Sequence, residues 1–443
     1  MRLRSRAVTG ALIALGLSLS LITEQGAVAV TSPSPTPTAS PTPTATATPS
    51  ASPGFEPKPG VYFNDPVGTT AERRRILDTI IKSINRVPGR GEIQIMSWNI
   101  MTANGVTALV KAHKRGVRVR VLMSSGHLRN GGAPDFRRLR RELSVNGNKL
   151  RGPTRRSRAA VCQGSCRGPR GTAHAKFFMF THVGNARKVV VHTSANFTEA
   201  STDKQWNDMQ VFINNTTLWN FFDKAFDQME KDKVQSPLRL LTRSGAQRMM
   251  FTPIGRHPNP FISQAKSVYC KGATNTYSGR TVVRYFPDVM RGDPGLRMAR
   301  QLRRMWDNGC NVKIGYTIMD KPVHRVLRDP SGRGPVPLRH LAVDRDGDGE
   351  YDLYAHMKSM SIRGRVGRSK AAYRLINGTS NVSRLAQVSD ENIGINFSSP
   401  VTRCYESWMN RVFQNPPRNA RMSLAVRRAV SSGTINPYAG MEY

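Results

Sequence analysis

Acidic residues are scarce in this 443-residue sequence. The chain has 29 Asp and Glu against 67 Lys and Arg, which leaves a formal net charge of +38. A field of this sign attracts polyanions, so anionic phospholipid or membrane surfaces, nucleic acids and anionic wall polymers all stay open as partners. Charge alone does not choose among them, and an ordinary solvated basic surface is the alternative.

Long apolar runs are equally scarce. One occupies residues 7–22, after three arginines and ahead of the Ala-Val-Ala site at 27–29. This pattern predicts a signal peptide over residues 1–29, with an uncleaved membrane anchor as the alternative. Residues 30–55 are dominated by Thr, Pro, Ser and Ala and predict a stalk-like linker. We therefore expect a secreted, extracellular protein, and association with the cell wall is left open.

Cysteines are few, and their spacing does not fit a zinc site. The chain has five, and in an exported protein they favour disulfides over thiol catalysis. Cys162 and Cys166 have no second ligand pair at a fitting distance, which argues against zinc. These two could pair, as could Cys270 and Cys310, which would leave Cys404 over. The sequence does not fix the connectivity.

A short motif occurs twice in the sequence. His174 and Lys176 form one His-x-Lys pair, and His356 and Lys358 form the other. In a strand, residues two apart face the same side, so both side chains of each pair can point into one cleft. A single pair would mean little, and two satisfied core histidines are the alternative reading.

The surroundings of the motif are repeated as well. A small-residue turn ends at Asn196, 22 residues after the first histidine, and at Asn381, 25 residues after the second. Before each motif, a predicted helix ends at a glycine, Gly116 or Gly309, and an alternating strand follows. The copies are offset by 182 residues at the histidines, 185 at the asparagines and 193 at these glycines. An internal duplication of an α/β domain explains this pattern.

Two histidines with two lysines and two asparagines suit the cleavage of a phosphodiester. A neutral imidazole can attack phosphorus to form a phosphohistidine, and a protonated imidazole can give its proton to the departing alcohol. The second imidazole can then activate water, which releases the phosphate. Lysine and asparagine donors can hold the non-bridging oxygens. This chemistry requires no metal, so we expect no catalytic cofactor.

On these motifs the chain resembles the phospholipase D superfamily, whose motif is His-x-Lys-x4-Asp, over residues 61–413. The resemblance implies two duplicated phospholipase D-like α/β domains, with mixed β-sheets flanked by helices, packed face to face as a pseudo-dimer. We place these domains at residues 56–245 and 246–443, in a monomer with an internal pseudo-twofold axis and one active site at the interface. The resemblance implies that His174 is the nucleophile and His356 the acid, with the reverse order open.

The sequence departs from the family pattern at the motif aspartate, which is Thr181 in the first copy and Arg363 in the second. Family members that resemble tyrosyl-DNA phosphodiesterase are active without this residue, so its loss does not exclude catalysis. The resemblance also implies that a later carboxylate orients each histidine. Asp208 and Glu391 are the candidates, and polar strand-end residues are the alternative reading.

A separate acidic loop precedes the second motif. Asp344, Asp346, Asp348 and Asp352 occupy loop positions 1, 3, 5 and 9, with Gly349 at position 6. This pattern is typical of calcium loops in which alternating side chains converge. We predict a structural Ca²⁺ here, and a solvated acidic turn is the alternative.

The leading hypothesis is a secreted phosphodiesterase of the phospholipase D type that hydrolyses phospholipid head-group bonds through a phosphohistidine. A secreted nuclease with the same catalytic residues is the first alternative, and a polyanion-binding wall protein with a decayed site is the second. A lipase should have an apolar, aromatic rim at its cleft, whereas a nuclease should have a continuous basic groove.

Overall fold

Two mixed β-sheets lie at the centre of the protein, each drawn from one half of the sequence. The computed structural model describes residues 54–145, 156–255 and 257–442, which group into one compact unit. The predicted signal peptide at 1–29 and nearly all of the predicted linker at 30–55 lie outside these residues. In the described part of the chain, no helix is long and apolar enough to cross a bilayer.

The first sheet contains seven of the described strands in the order β1-β7-β6-β5-β2-β3-β4. The pairs β2–β3 and β3–β4 are parallel and the others are antiparallel. The strands are β1 (Gly60–Phe63), β2 (Glu92–Ser97), β3 (Arg118–Ser124), β4 (Arg158–Cys162), β5 (Phe177–Val183), β6 (Ala186–Thr193) and β7 (Asp208–Phe212).

The second sheet repeats this plan with nine of the described strands. Its path is β8-β9-β16-β15-β14-β11-β12-β13, and β10 pairs with β14 off this path. The strands are β8 (Leu240–Ser244), β9 (Gln247–Phe251), β10 (Val268–Tyr269), β11 (Val282–Pro287), β12 (Asn311–Tyr316), β13 (Leu338–His340), β14 (Lys358–Val366), β15 (Ser369–Gly378) and β16 (Asn392–Asn396).

Helices cover the two sheets, as a mixed α/β fold requires. The described residues form eleven of them: α1 (Thr70–Arg86), α2 (Ala103–Lys114), α3 (Pro134–Val145), α4 (Ala200–Asp203), α5 (Thr216–Glu230), α6 (Pro260–Lys266), α7 (Gly292–Asp307), α8 (Lys321–Arg328), α9 (Arg384–Val388), α10 (Ser399–Gln414) and α11 (Leu424–Ser432).

The repeated helix-glycine-strand unit is present in both halves. Helix α2 leads through Gly116 into β3, and α7 leads through Gly309 into β12. The φ angles of these glycines are 88° and 92°, in the left-handed region that a helix C-terminus commonly needs and that glycine adopts without strain. The duplicated α/β architecture expected from the sequence is therefore confirmed. Strand β8, inside the predicted first domain, joins the second sheet, and the domain boundary at 245/246 remains a prediction.

The two halves exchange backbone contacts just before each motif. Residues Leu353–Ala355 pair in parallel with Gln205–Trp206, and Ala173 bridges Asp390 in the same sense. Each motif therefore begins on the backbone of the other half, and this fixes the two copies relative to one another.

Both disulfide pairings considered from the sequence are present. Cys162 is bonded to Cys166, and Cys270 to Cys310, while Cys404 is a free and exposed thiol. The first disulfide lies at the end of β4, in the loop that leads to the first motif. The second disulfide links the residue that follows β10 to the residue that precedes β12.

Candidate active site

The two motif histidines lie where the halves meet. His174 donates its backbone N–H to the carbonyl of Asp390, and His356 donates its own to the carbonyl of Trp206, each at 3.0 Å. Strands β5 and β14 begin three and two residues further on. Both imidazoles are buried, with exposures of 4% and 0%.

Each imidazole is oriented by a residue of the opposite half. His174 Nδ1 is 2.8 Å from Glu391 Oε2, and His356 Nδ1 is 2.9 Å from Asn207 Oδ1. Among the described residues, neither Nε2 atom has a hydrogen bond of normal geometry. Because an acceptor holds each Nδ1–H, each Nε2 is left to react, which is what a nucleophile or a general acid needs.

Asp208 does not orient a histidine, so that part of the expectation needs correction. Its Oδ2 accepts from Asn377 Nδ2 at 2.8 Å and from the Tyr405 hydroxyl at 2.6 Å. The structural counterpart of Glu391 is Asn207, since each is the residue immediately before the last sheet strand of its half, β16 or β7. A shift by one residue along a strand moves a side chain to the opposite face, so Asp208 contacts Asn377 and Tyr405 while Asn207 contacts His356.

The two lysines occupy equivalent positions with different partners. Lys176 Nζ donates to the carbonyl of His174 and Lys358 Nζ to that of His356, both at 2.7 Å. Lys358 also forms an ion pair with Asp288 at 2.8 Å, and both side chains are 0% exposed. The sequence analysis missed Asp288, which directly follows β11, and a polar residue at the end of a central strand was the available signal.

The two turn asparagines also differ in their surroundings. Asn381 Oδ1 accepts from the backbone N–H of Val289 at 3.2 Å, and the residue lines a cavity that reaches His174. Asn196 Nδ2 instead donates to Glu442 Oε2 at 3.0 Å. The structure thus brings together both histidines, both lysines, both asparagines and Glu391.

Comparison with protein families gives one match for this region. Residues 80–230, which contain the first motif, match a family model described as "cardiolipin synthase, PLD-like domain". These residues are therefore similar in sequence to a phospholipase D-like domain. The resemblance seen in the sequence is confirmed by this match, and no curated protein matches the chain.

Solved structures show the phospholipase D-like fold over most of the chain. Polyphosphate kinase from Porphyromonas gingivalis aligns with a TM-score of 0.51 at 12% identity, over 85% of this chain and 55% of that one. This chain therefore spans about half the length of the kinase. Phosphatidylserine synthase from Haemophilus influenzae aligns with a TM-score of 0.50 at 12% identity, over 84% of this chain and 92% of that one.

The two residues that replace the phospholipase D motif aspartate have partners of their own. Thr181 Oγ1 accepts the backbone N–H of Glu92 at 2.8 Å. Arg363 donates to both carboxylate oxygens of Glu406, at 2.8 and 2.7 Å. Both therefore stabilise local structure, and the candidate site contains Asp288 and Glu391 as buried acids.

Burial dominates the electrostatics of the site. It lowers the pKa of His174 and of His356 well below the usual value, and the two lysines lower both further. Burial also lowers the pKa of Lys176, where Lys358 acts in the same direction and Glu391 opposes it. The pKa of Glu391 is raised to about 8 by burial, against the opposing charge of Lys176. The free site thus disfavours charge, and a bound phosphodiester anion would compensate the lysines.

A cavity of about 320 Å³ opens beside His174. Trp98 forms part of its wall, with its ring centroid 5.5 Å from that of His174 and 4.1 Å from that of His127. Lys176 Nζ lies 5.8 Å from the Trp98 centroid. Trp98 and His127 were not singled out in the sequence, although Trp98 directly follows strand β2.

The acidic loop brings together three of its four predicted calcium ligands. One carboxylate oxygen from each of Asp344, Asp346 and Asp348 lies within 4.8 Å of the others. That group does not include Asp352, whose Oδ2 accepts the backbone N–H of Arg345 at 2.7 Å. The donor set is all oxygen, as calcium prefers, and calcium binding remains a prediction.

Proposed function

We propose that the protein is a secreted phosphodiesterase of the phospholipase D type, which hydrolyses head-group phosphodiester bonds of phospholipids. The observation that carries this proposal is the pair of buried imidazoles, one from each half, each with its Nδ1 atom held and its Nε2 atom without a hydrogen-bond partner among the described residues. The match of residues 80–230 to a family model described by cardiolipin synthase, an enzyme named for a phospholipid, supports a lipid substrate.

In the proposed mechanism His174 is the nucleophile. Its Nε2 forms a bond to phosphorus while the bond from phosphorus to the alcohol oxygen breaks. His356 gives its Nε2 proton to that oxygen, then takes a proton from water as the water oxygen bonds to phosphorus and the phosphorus–nitrogen bond breaks. Glu391 lies beside His174, and in its ionised form it offsets the positive charge of the phosphohistidine.

The lining of the cavity favours a lipid over a nucleic acid. Trp98, Val289, Leu385 and Ala386 supply apolar surface, and Leu385 is 50% exposed. Arg291 is the single Lys or Arg among the described lining residues. A phosphate backbone would require a row of such cations, so the nuclease is the second candidate, supported by the net charge of +38.

The proposal is tested on phosphatidylcholine vesicles, anionic phospholipid vesicles and plasmid DNA. The wild type should release head group, and His174→Ala and His356→Ala should lose it. His182→Ala is the matched control, because His182 contacts Arg187 outside the site. Cleavage of DNA alone would favour the nuclease, and no turnover of any substrate would favour the decayed binding protein.

The roles of the histidines are tested with phosphatidyl-p-nitrophenol, in which nitrophenol takes the place of the head group and needs no general acid to leave. His356→Ala should release a burst of one nitrophenol per protein and accumulate an adduct on His174, since water activation is slowed roughly 10²–10⁴-fold. Peptide mass spectrometry locates the adduct. An adduct on His356 in the His174→Ala protein would reverse the assignment.

We also propose that the protein is exported and that its acidic loop binds calcium. The disulfides fit an oxidising compartment, because such bonds persist mainly outside the cytosol. Calcium should raise the melting temperature of the protein, and Asp346→Asn should remove the effect. An unchanged melting temperature across a wide calcium range would contradict the calcium site.

A further inference from the structure

Glu442 places a carboxylate inside the site. The residue is 9% exposed. Its Oε1 accepts from Asn99 Nδ2 at 2.8 Å. Its Oε2 accepts from Asn196 Nδ2 at 3.0 Å, from Gln205 Nε2 at 2.9 Å and from Thr198 Oγ1 at 3.2 Å. Four polar side chains of the first half thus converge on one acidic side chain that follows α11.

The backbone around Glu442 is held as well. Its N–H donates to the Tyr354 hydroxyl at 2.8 Å, and that hydroxyl also accepts from Gln205 at 2.6 Å. Tyr354 is two residues before His356. Burial is the largest cause of the lowered pKa of His356, and the backbone of Glu442 acts in the opposite direction. Lys176 likewise interacts with the Glu442 charge. Glu442 therefore influences the pKa of a lysine of one motif and that of the histidine of the other.

The position of this carboxylate conflicts with a bound phosphodiester. Asn196 is one of the two turn asparagines proposed to hold non-bridging oxygens, and its amide donor is already used by Glu442. Two like charges at one set of donors repel strongly where water is excluded. A phosphate oxygen can reach Asn196 only if the carboxylate leaves.

The two halves of the site also differ in how exposed their residues are. The cavity reaches His174 and Asn381, the second of which is 8% exposed. His356 and Asn196, on the side of Glu442, are 0% and 1% exposed. The residue proposed to protonate the leaving group is thus sealed from the cavity that admits the substrate.

We propose that Glu442 is an internal ligand of the phosphate site, which occupies the place of a phosphate oxygen at Asn196 until substrate displaces it. This inference rests on the proposed function, since it assigns Asn196 to phosphate. Two other residues near Glu442 contact Tyr351. The Pro437 carbonyl accepts the Tyr351 N–H at 2.9 Å, and the centroid of the Tyr438 ring lies 5.1 Å from that of Tyr351.

The test measures binding of inorganic phosphate by calorimetry, and needs no turnover. Glu442→Gln keeps the shape of the side chain and removes its charge, so phosphate should bind at least about tenfold more tightly than to the wild type. Asp227→Asn is the charge-matched control: its carboxylate is 53% exposed on α5 and pairs with Arg120, and phosphate affinity should not change. Tyr354→Phe, which removes the acceptor for the Glu442 N–H, should give a smaller change in the same direction.

Turnover of phosphatidyl-p-nitrophenol gives a second readout. In Glu442→Gln the KM should fall about as much as the phosphate Kd, with kcat equal to or above that of the wild type. An unchanged phosphate Kd in both Glu442→Gln and Tyr354→Phe would overturn the inference. So would weaker phosphate binding with a lower kcat, because Glu442 would then position Asn196 for catalysis.

The two proposals fail separately. Tighter phosphate binding by Glu442→Gln without hydrolysis of any substrate would leave the internal ligand in place and remove the phosphodiesterase. Hydrolysis by the wild type, with the same phosphate Kd in all variants, would do the reverse. Thermal unfolding of each variant shows whether it folds, and the conservative Gln substitution guards against loss of the fold.

Discussion

The two motif histidines differ in the side chain that faces Nδ1. Nδ1 of His174 faces the Glu391 carboxylate, whereas Nδ1 of His356 faces the neutral Asn207 amide. A carboxylate stabilises an imidazole that becomes positively charged when it bonds to phosphorus, and a neutral amide leaves an imidazole free to give up its proton. This asymmetry supports the assignment of His174 as the nucleophile.

Glu391→Gln should flatten the dependence of stability on pH. The pKa of Glu391 is raised to about 8 from 4.5, so between these values the folded protein binds a proton that the unfolded chain does not. The free energy of unfolding therefore falls as pH rises through this window, by up to about 1.4 kcal/mol per pH unit. Gln cannot ionise, and denaturant unfolding at pH 5 to 8 should show a smaller decline.

The same variant should lose turnover roughly 10²-fold or more, because the phosphohistidine loses its counter-charge. Thr379 is a useful comparison, since its hydroxyl donates to the same Glu391 oxygen at 2.6 Å. Thr379→Val should weaken activity less than Glu391→Gln. Parallel pH profiles of stability in wild type and Glu391→Gln would show that Glu391 does not take up this proton.

Asn207→Asp should move the pH optimum upwards. A carboxylate at Nδ1 favours the protonated form of His356, and we expect the pKa that limits the acid step to rise by about one unit or more. The measurement is kcat/KM against pH on phosphatidylcholine, whose leaving group needs the acid. With phosphatidyl-p-nitrophenol the same limb should shift little, and equal shifts on both substrates would contradict the acid role.

Among the structural elements, the loop closed by Cys162 and Cys166 leads directly to His174. The carboxylate of Asp390, whose backbone carries the His174 N–H, accepts from Ser165 Oγ at 2.8 Å and from the Arg167 N–H at 3.3 Å. The loop is thus tied to the residue that precedes Glu391. We therefore expect the conformation of this loop to affect the orientation of His174 more than it affects the free energy of unfolding.

Removal of each disulfide in turn should separate the effect on the orientation of His174 from the effect on the free energy of unfolding. Cys162→Ser/Cys166→Ser opens a loop of sequence separation 4, and Cys270→Ser/Cys310→Ser opens one of 40. Loop-closure entropy predicts losses of about 2 and about 4 kcal/mol in the free energy of unfolding. The first pair should nevertheless lose more kcat/KM, and the opposite order of activity losses would contradict the positioning role of the loop.

At the scale of the whole molecule, the site is assembled by exchange between the halves. Each imidazole comes from one sheet and its orienting residue from the other, and the backbone of each motif pairs across the interface. The two motif histidines and their partners therefore depend on the packing of both copies. Neither copy contains a complete set of orienting contacts on its own.

The charge of +38 should govern binding to membranes independently of catalysis. Binding to anionic vesicles should weaken steeply between low and high salt, because the Debye length falls from about 10 Å at 0.1 M to about 3 Å at 1 M. Co-sedimentation with anionic and with phosphatidylcholine vesicles measures this, and His174→Ala should bind as the wild type does. Salt-independent binding would assign membrane affinity to apolar contacts such as Leu385.

The sequence by itself determined the duplication, the α/β class, both His-x-Lys pairs and the turn asparagines. These features are local: strand alternation, a glycine after a helix and a two-residue spacing are written in consecutive residues. The possible disulfide partners could also be named, but the sequence did not fix the connectivity.

Only the tertiary structure decided which residues face the histidines. Asn207 and Asp208 are adjacent in the chain, and the register of the strand pairing with the other half selects the first and turns the second away. Glu442 lies 246 residues from Asn196, so no local pattern could join them. Register and long-range packing depend on the whole buried interface, and a sequence pattern cannot carry that information.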